Sequence, residues 1–356
     1  MISADKLKLF QVAIPIGHSR VRGKTKVLEW LWEFGGLMLS ASFWHKIILY
    51  EKKCPLMVDS GGFQYGGKQK RDKLKEFFSL REKLYRWQCL YADYIIGGDI
   101  PTSLTKDFEF IKKCLLLTMD NMDLQFKLGA EGRFVNVVHG HSPEAIRYWF
   151  KGVKGYPSIG WSLGSALKTS VYGFGLQLFT LYELGAFKNK LKIIHCLGGT
   201  SKDVVVGIHY LLSKLGVQID VLSFDSSSSS AERFGNIISE EGAVISFSDI
   251  RNGRKTVKLW DGTVLAHVPL NLSGKFREDL SRTNMTNTAK VWNTKLLGMI
   301  RDQGDAYYKI VEASGAKWMW EVWQDCGVNL LYKEMVRQGV LDRVLNVEIE
   351  DECKLV

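Results

Sequence analysis

Three aspartates, each directly after an apolar, β-rich run, are the residues of this chain best suited to chemistry. Asp59 lies in MVDSGGFQYGG (57–67), Asp99 in GGDIPTS (97–103) and Asp225 in SFDSSSSS (223–230). A carboxylate can attack as a nucleophile, carry a proton to and from a reacting group, or accept two adjacent N–H donors at once. The glycines after Asp59 let the main chain turn sharply and come close to a flat ligand. The serines after Asp225 leave open space beside its carboxylate. A single aspartate after a strand is most simply a helix N-cap. Three of them, all next to glycine or serine clusters, point instead to one shared pocket.

Such a pocket requires the strand ends to converge. From about residue 55 to 225, short β-rich runs alternate with longer amphipathic, charged stretches, the pattern of repeated βα units around a parallel sheet. The strand candidates are LMVDSGG at 56, DYIIGGD at 93, FVNVVHG at 134, SIGWSLG at 158, LKIIHCLGG at 191 and IDVLSFDS at 219. LFQVAIPIG and GLMLSAS supply two more. KRDKLKEFFSLREKLYRWQCLYA carries apolar residues at helical spacing. Eight such strands make a (β/α)8 TIM barrel, an α/β fold, with a doubly wound open sheet as the alternative. Asp59, Asp99, His139, Gly160, Gly198 and Asp225 all follow the apolar part of their strands, and in a barrel those ends meet at one mouth. One domain is expected over 1–356. AVISFSDI and KTVKLWDGTVLAHV form a strand-like pair read as a β-hairpin insertion near 243–270, and 275–345 reads as a helical C-terminal part.

DSGGFQ, together with GGDIPTS and LSFDSS in that order, resembles the tRNA-guanine transglycosylase superfamily. Its members are (β/α)8 barrels that exchange guanine in a nucleic acid for a 7-deazaguanine base. The likeness spans about residues 55 to 236. It implies Asp225 as the nucleophile at the sugar C1′ and Asp59 as the acid/base on the departing and arriving bases. It makes Asp99 the acceptor for the base's Watson–Crick edge, with Phe63 stacked on the ring and Ser60 and Gly61 lining the pocket. The family's V-Q-G-G strand end and following G-G-L-A segment correspond to VVHGH and IGWSLG here, which implicates His139, Gly140, Gly160, Trp161 and Ser162. LGGTSKD at 197 resembles the family's glycine turn before its last barrel helix. The residue types suit the reaction independently: displacing a purine from C1′ passes through an oxocarbenium-like transition state that a carboxylate stabilises or traps. Guanine also presents two adjacent donors that one carboxylate accepts together.

Two departures redirect the expectation. The tRNA-modifying members carry a Cys-x-Cys-x-x-Cys zinc site after the nucleophile, whereas this chain holds no cysteine from 226 to 325. SSSSSAERFGN also stands in place of the Thr-Arg pattern that grips the anticodon loop. The resemblance is therefore strongest to phage-type DNA-guanine transglycosylases of the DpdA kind, found in bacteria and bacteriophages. This makes the expected partners DNA and a free 7-deazaguanine base of the preQ0 or preQ1 type, with no cofactor and no metal. A tRNA-guanine transglycosylase, a non-catalytic nucleic-acid-binding paralogue and a hydrolytic glycosylase are the alternatives.

Composition bounds these readings. The chain has 356 residues, 46% of them apolar, and a net charge of +10, an excess suited to a polyanionic partner. Basic clusters occur in SRVRGKTK at 19, GGKQKRDK at 66 and RNGRKTVK at 251. The six cysteines, at 54, 89, 114, 196, 326 and 353, show no C-x-x-C spacing and are read as reduced, mostly buried thiols. His139 and His141 are read as pocket or core histidines rather than metal ligands. Adjacent His195 and Cys196 must point to opposite faces of a strand and so do not cooperate. WMWEVW at 318 reads as packing. With no apolar leader and no spanning segment, a cytoplasmic protein is expected, in the host cytoplasm if phage-encoded.

Overall fold

The computed structural model describes residues 2–12, 20–21, 24–26, 33–41, 47–48, 52–60, 71–102, 107–164, 170–226, 231, 235–272 and 274–341. Eight strands close into a parallel barrel: β1 (Leu7–Val12), β2 (Leu37–Ser40), β3 (Leu56–Asp59), β4 (Tyr94–Ile96), β5 (Phe134–Val138), β6 (Gly160–Leu163), β7 (Leu191–Cys196) and β8 (Ile219–Ser226). Neighbours run in sequence order from β2 to β8, and β1 closes the ring between β8 and β2. All eight expected strands are present, and the sheet is a closed (β/α)8 barrel rather than an open one.

Alternation along each strand explains the closure. Phe10, Met38, Met57, Ile96, Val135, Val137 and Ile193 pack together inside the barrel. Their neighbours Leu37, Leu56, Val58, Ile95, Phe134, Ile194 and Leu222 belong to the larger core shared with the helices. Both faces of every strand are therefore covered, which is why the strands read as continuous apolar runs.

Helices α1 (Arg71–Tyr91), α2 (Phe108–Lys127), α3 (Pro143–Val153), α4 (Val171–Glu183) and α5 (Lys202–Lys214) connect successive strands from β3 to β8. Four of their starts are written in the sequence: Asp107, Ser142, Ser170 and Ser201 each cap a helix by accepting a backbone N–H from its first turn. Among the described residues neither Asp99 nor Asp225 caps a helix.

The insertion differs in detail from its expected form. Val244–Ser246 pairs with Asn236–Ile238, and Val257–Lys258 pairs with Val264–Leu265, so there are two hairpins rather than one. The residues after Ser246 form a short helix, α6 (Phe247–Arg251), because Ser246 caps it by accepting from the N–H of Asp249. Ile237, Phe247, Ile250, Val257, Leu265, Val268 and Leu280 form a separate apolar core there.

The chain continues through α7 (Gly274–Val291), a π-helical turn (Trp292–Leu296), α8 (Leu297–Asp302), α9 (Asp305–Ala313) and α10 (Ala316–Arg337). The last two pack on α4 and α5. The tryptophan run serves that packing: Trp323 stacks on Phe179 with ring centroids 4.7 Å apart, and Trp318 meets Tyr172 edge-on. Among the described residues no helix is long and apolar enough to cross a membrane.

Candidate active site

The mouth of the barrel is built in two layers. Strand pairing sets Val137, Ser162, His195 and Ser223 side by side around β5 to β8. Two residues further along each strand come His139, Gly164, Leu197 and Asp225, which face the same way by alternation. Asp59, the last residue of β3, shares the inward parity of Met57.

Asp99 sits between β3 and β5, where both of its oxygens are engaged. Ser60 donates its hydroxyl to Oδ1 at 2.8 Å, and His139 Nε2 meets Oδ2 at 2.8 Å. All three side chains are buried. The His139 ring stands edge-on to Trp149 at 4.7 Å, while the Trp149 indole N–H donates to the Val137 carbonyl. Gly164 leaves room for that ring, since a Cβ there would lie 2.6 Å from His139 Cε1. A carboxylate has about four acceptor positions, so Asp99 retains capacity for two further donors.

A web of buried amides holds the GGD turn in shape. Gln88 of α1 donates to the carbonyls of Val58 and Ile96, at the ends of β3 and β4. From α2, Gln125 donates to Gln88 and accepts from the Gly98 N–H at 2.7 Å, Asn121 donates to the Gly98 carbonyl, and Thr118 accepts from the Ile100 N–H. β4 is only three residues long, and these side chains satisfy backbone groups that leave the ladder above it. Gly98 must be glycine for the same reason: a Cβ would fall 2.7 Å from both Asn121 Cβ and the Tyr85 hydroxyl. Burial, then the nearby Asp99 charge, pushes the Tyr85 phenol well above its ordinary pKa and keeps it neutral.

Asp225 stands on the opposite wall. Its Oδ1 accepts the Gly198 N–H at 2.5 Å and lies 3.4 Å from His195 Nε2. Gly198 has φ +72°, a left-handed conformation that glycine adopts without strain, and this turn aims its N–H at the carboxylate. His195 is fully buried, with Nδ1 2.9 Å from Ser223 Oγ. Cys196 points to the outer core, where burial and then the Asp225 charge push its thiol well up. Cys54 and Cys89 are raised to about 11 and Cys114 to about 12, chiefly by burial. None of these four thiols is activated.

Several expectations require correction. Trp161 does not face the mouth: it pairs with Asn136 on the outer surface of the sheet and packs on Phe150 of α3 at 5.4 Å. Gly160 is the first residue of β6, not its end. It lies beside Val135 and Ile193, where a Cβ would come within 1.8 Å of the Ile193 carbonyl oxygen. The glycine at the β6 end of the mouth is Gly164. Gly140, at φ +125°, turns the chain over the start of α3, where a Cβ would meet the Ile146 nitrogen at 2.8 Å. Its carbonyl accepts from Gln177 of α4, which also bonds the Gly164 carbonyl. Ser162 keeps its inward place. Gly61 and Phe63 lie outside the described residues, as do the serines at 227–230. His141 is buried, and among the described residues no three His, Cys, Asp or Glu side chains group as a metal site.

No family model matches the chain, and no curated protein does. The site therefore rests on its own geometry.

Sequence reasoning missed His195, Ser223, Gly164 and the amides. Strand alternation alone puts His195 and Ser223 on the same face as Asp225. Thr118, Asn121 and Gln125, spaced i, i+3 and i+7 among apolar residues, mark a polar stripe on the buried face of α2.

Proposed function

We propose that this protein is a DNA-guanine transglycosylase, which exchanges guanine in DNA for a free 7-deazaguanine base. The observation that carries the reading is that Asp59, Asp99 and Asp225 follow three strand ends at the C-terminal mouth of one closed barrel, Asp99 and Asp225 with different partners. TIM-barrel active sites lie at that face. Asp99, held by Ser60 and His139, suits recognition of a base edge, while Asp225 at the rim suits attack.

The reaction runs in two displacements. Asp225 attacks C1′ as the bond from C1′ to guanine N9 breaks, and Asp59, in its acid form, gives its proton to the departing base. The incoming base then loses its N9 proton to Asp59 and displaces Asp225 from C1′, so the configuration at C1′ is retained. A base stacked in a duplex must be flipped out to reach such a mouth. Arg254, Lys255 and Lys258 on the insertion are exposed and suit contact with phosphates.

The test is incubation with guanine-containing DNA and a labelled 7-deazaguanine base. The expected result is label in DNA with one guanine released per base incorporated. Label in tRNA alone would reassign the polymer, guanine release without incorporation would replace base exchange with hydrolysis, and the absence of both incorporation and release would overturn base exchange outright.

A further inference from the structure

We infer that His195, steered by Ser223, is the positioning residue for Asp225, presenting an Nε2 proton to Oδ1 so that Oδ2 is the oxygen that attacks. The role in attack rests on the base-exchange reading. The proton placement does not.

The geometry leaves Nε2 few options. His195 is fully buried, its ring stands edge-on to Phe10 with centroids 6.4 Å apart, and its strand neighbours at the same level are Ser162 and Ser223. Among the described residues Nε2 has no hydrogen-bond partner at normal length; it faces Asp225 Oδ1 at 3.4 Å. That distance is long for a hydrogen bond. Catalytic hydrogen bonds are commonly long before substrate is engaged and tighten afterwards.

Ser223 decides which ring nitrogen carries the proton. Its hydroxyl lies 2.9 Å from Nδ1 and 3.4 Å from the Ile194 carbonyl, and it has one proton to give. If that proton goes to Ile194, a neutral His195 must donate from Nδ1 and turn a bare Nε2 lone pair toward a carboxylate oxygen. If it goes to the nearer Nδ1, the proton sits on Nε2 and faces Asp225. Both arrangements keep the 2.9 Å contact; the second gives up only the long one to Ile194 and sets a proton, rather than a lone pair, against the carboxylate oxygen.

The consequence is an inequality between the two oxygens of Asp225. The Gly198 N–H at 2.5 Å and the His195 Nε2–H both address Oδ1. Oδ2 has no such partner among the described residues and is the atom left to form the bond to C1′.

Two measurements test this. The first is 15N NMR of histidine-labelled wild-type protein, with the signals lost in His195→Gln assigned to His195 and Asp225→Ala then used to perturb them. Protonated Nε2 is expected; an Nε2 without a proton, or His195 signals indifferent to Asp225→Ala, would overturn the inference. The second is the rate of glycosyl-enzyme formation in a single turnover for His195→Leu and His195→Gln, alongside their melting temperatures. His195→Leu is expected to slow formation about 10- to 100-fold, the range found for residues that orient a metal's ligands through a hydrogen bond. His195→Gln restores an N–H donor and is expected to recover most of that loss at a similar melting temperature. Leu forming the intermediate at the wild-type rate, or Gln as slow as Leu, would overturn the positioning role. A wild-type protein that forms no glycosyl-enzyme with any nucleic acid would count against base exchange itself, and the NMR result would still decide the proton.

Discussion

The two walls of the mouth hold their carboxylates in opposite ways. On the β3–β5 wall, Asp99 is buried with a partner on each oxygen, and behind it Gln88, Gln125, Asn121 and Thr118 pin the turn that carries it. On the β7–β8 wall, Asp225 is anchored through one oxygen by a single backbone N–H, with His195 close behind. Buried polar networks that are fully satisfied rigidify a site, which suits a template that must recognise a ligand repeatedly without reacting. A carboxylate with one engaged and one free oxygen suits bond formation. The difference gives two acidic residues of one mouth different work without any difference in residue type.

The largest expected effect breaks the contrast on the reactive side. Asp225→Ala should lower base exchange by roughly 10⁶-fold, the scale seen when a covalent nucleophile is removed. Its melting temperature should fall less than that of a variant lacking Asp99, because the change frees the Gly198 N–H at a solvent-reachable turn and a His195 Nε2–H held only at 3.4 Å. Single-turnover kinetics beside thermal denaturation check both halves; a large loss of stability would show that Asp225 is structural.

The mirror experiment is Asp99→Ala, which should weaken base binding and also destabilise the fold. It removes the charged acceptor of the buried Ser60 hydroxyl and of His139 Nε2, and each hydrogen bond to a charged group contributes about 1.5–3 kcal/mol. Denaturant midpoints for the two variants should therefore separate clearly. If Asp99→Ala were as stable as Asp225→Ala, the contrast between the walls would fail.

A subtler change sharpens the same point without removing a charge. Gly164→Ala would put a Cβ 2.6 Å from His139 Cε1 and 3.0 Å from Nδ1. The ring must move, and its bond to Asp99 must loosen. The expected outcome is a raised KM for the free base with little change in kcat, since the Asp225 wall is untouched. An equal fall in kcat would indicate that the walls are not independent.

The barrel was legible in the sequence because its strands are buried on both faces and so announce themselves as apolar runs, each ended by glycine, serine or aspartate. The carboxylates were legible for the same reason: they stand where those runs stop. Where strand limits depended on pairing, the reading slipped. SIGWSLG is apolar and small throughout, so nothing in it says that the strand begins at Gly160, and shifting the boundary moved the mouth from Gly164 to Gly160. Trp161 was misplaced by one residue of parity, which in a strand means the opposite face. The insertion misled because AVIS carries no mark of its partner, and pairing with Asn236–Ile238 is settled only by the turn at Gly242, φ +90°. The amide web was invisible to motif reasoning because its members contact backbone and carry no motif of their own.

The smallest effect expected lies far from the mouth and guards the interpretation of any pH profile. His209 of α5 is buried, with Nδ1 2.8 Å from the Tyr307 hydroxyl and Nε2 2.8 Å from the Ile2 carbonyl, so it ties the N-terminal segment to α9. Burial, the largest influence, lowers its pKa below the ordinary 6.5. The folded state therefore binds fewer protons at this residue than the unfolded chain does in the mildly acidic range. Its contribution to stability is present above pH 6.5 and is lost as pH falls through the lower, folded-state value. Melting temperature should decline below about pH 6.5, and His209→Gln, which keeps a donor for Ile2 and an acceptor for Tyr307 but cannot charge, should decline less steeply. A variant with the same acid slope as wild type would place the titrating group elsewhere. Loss of exchange in acid that persists in His209→Gln, at temperatures where the variant is folded, would then belong to the mouth.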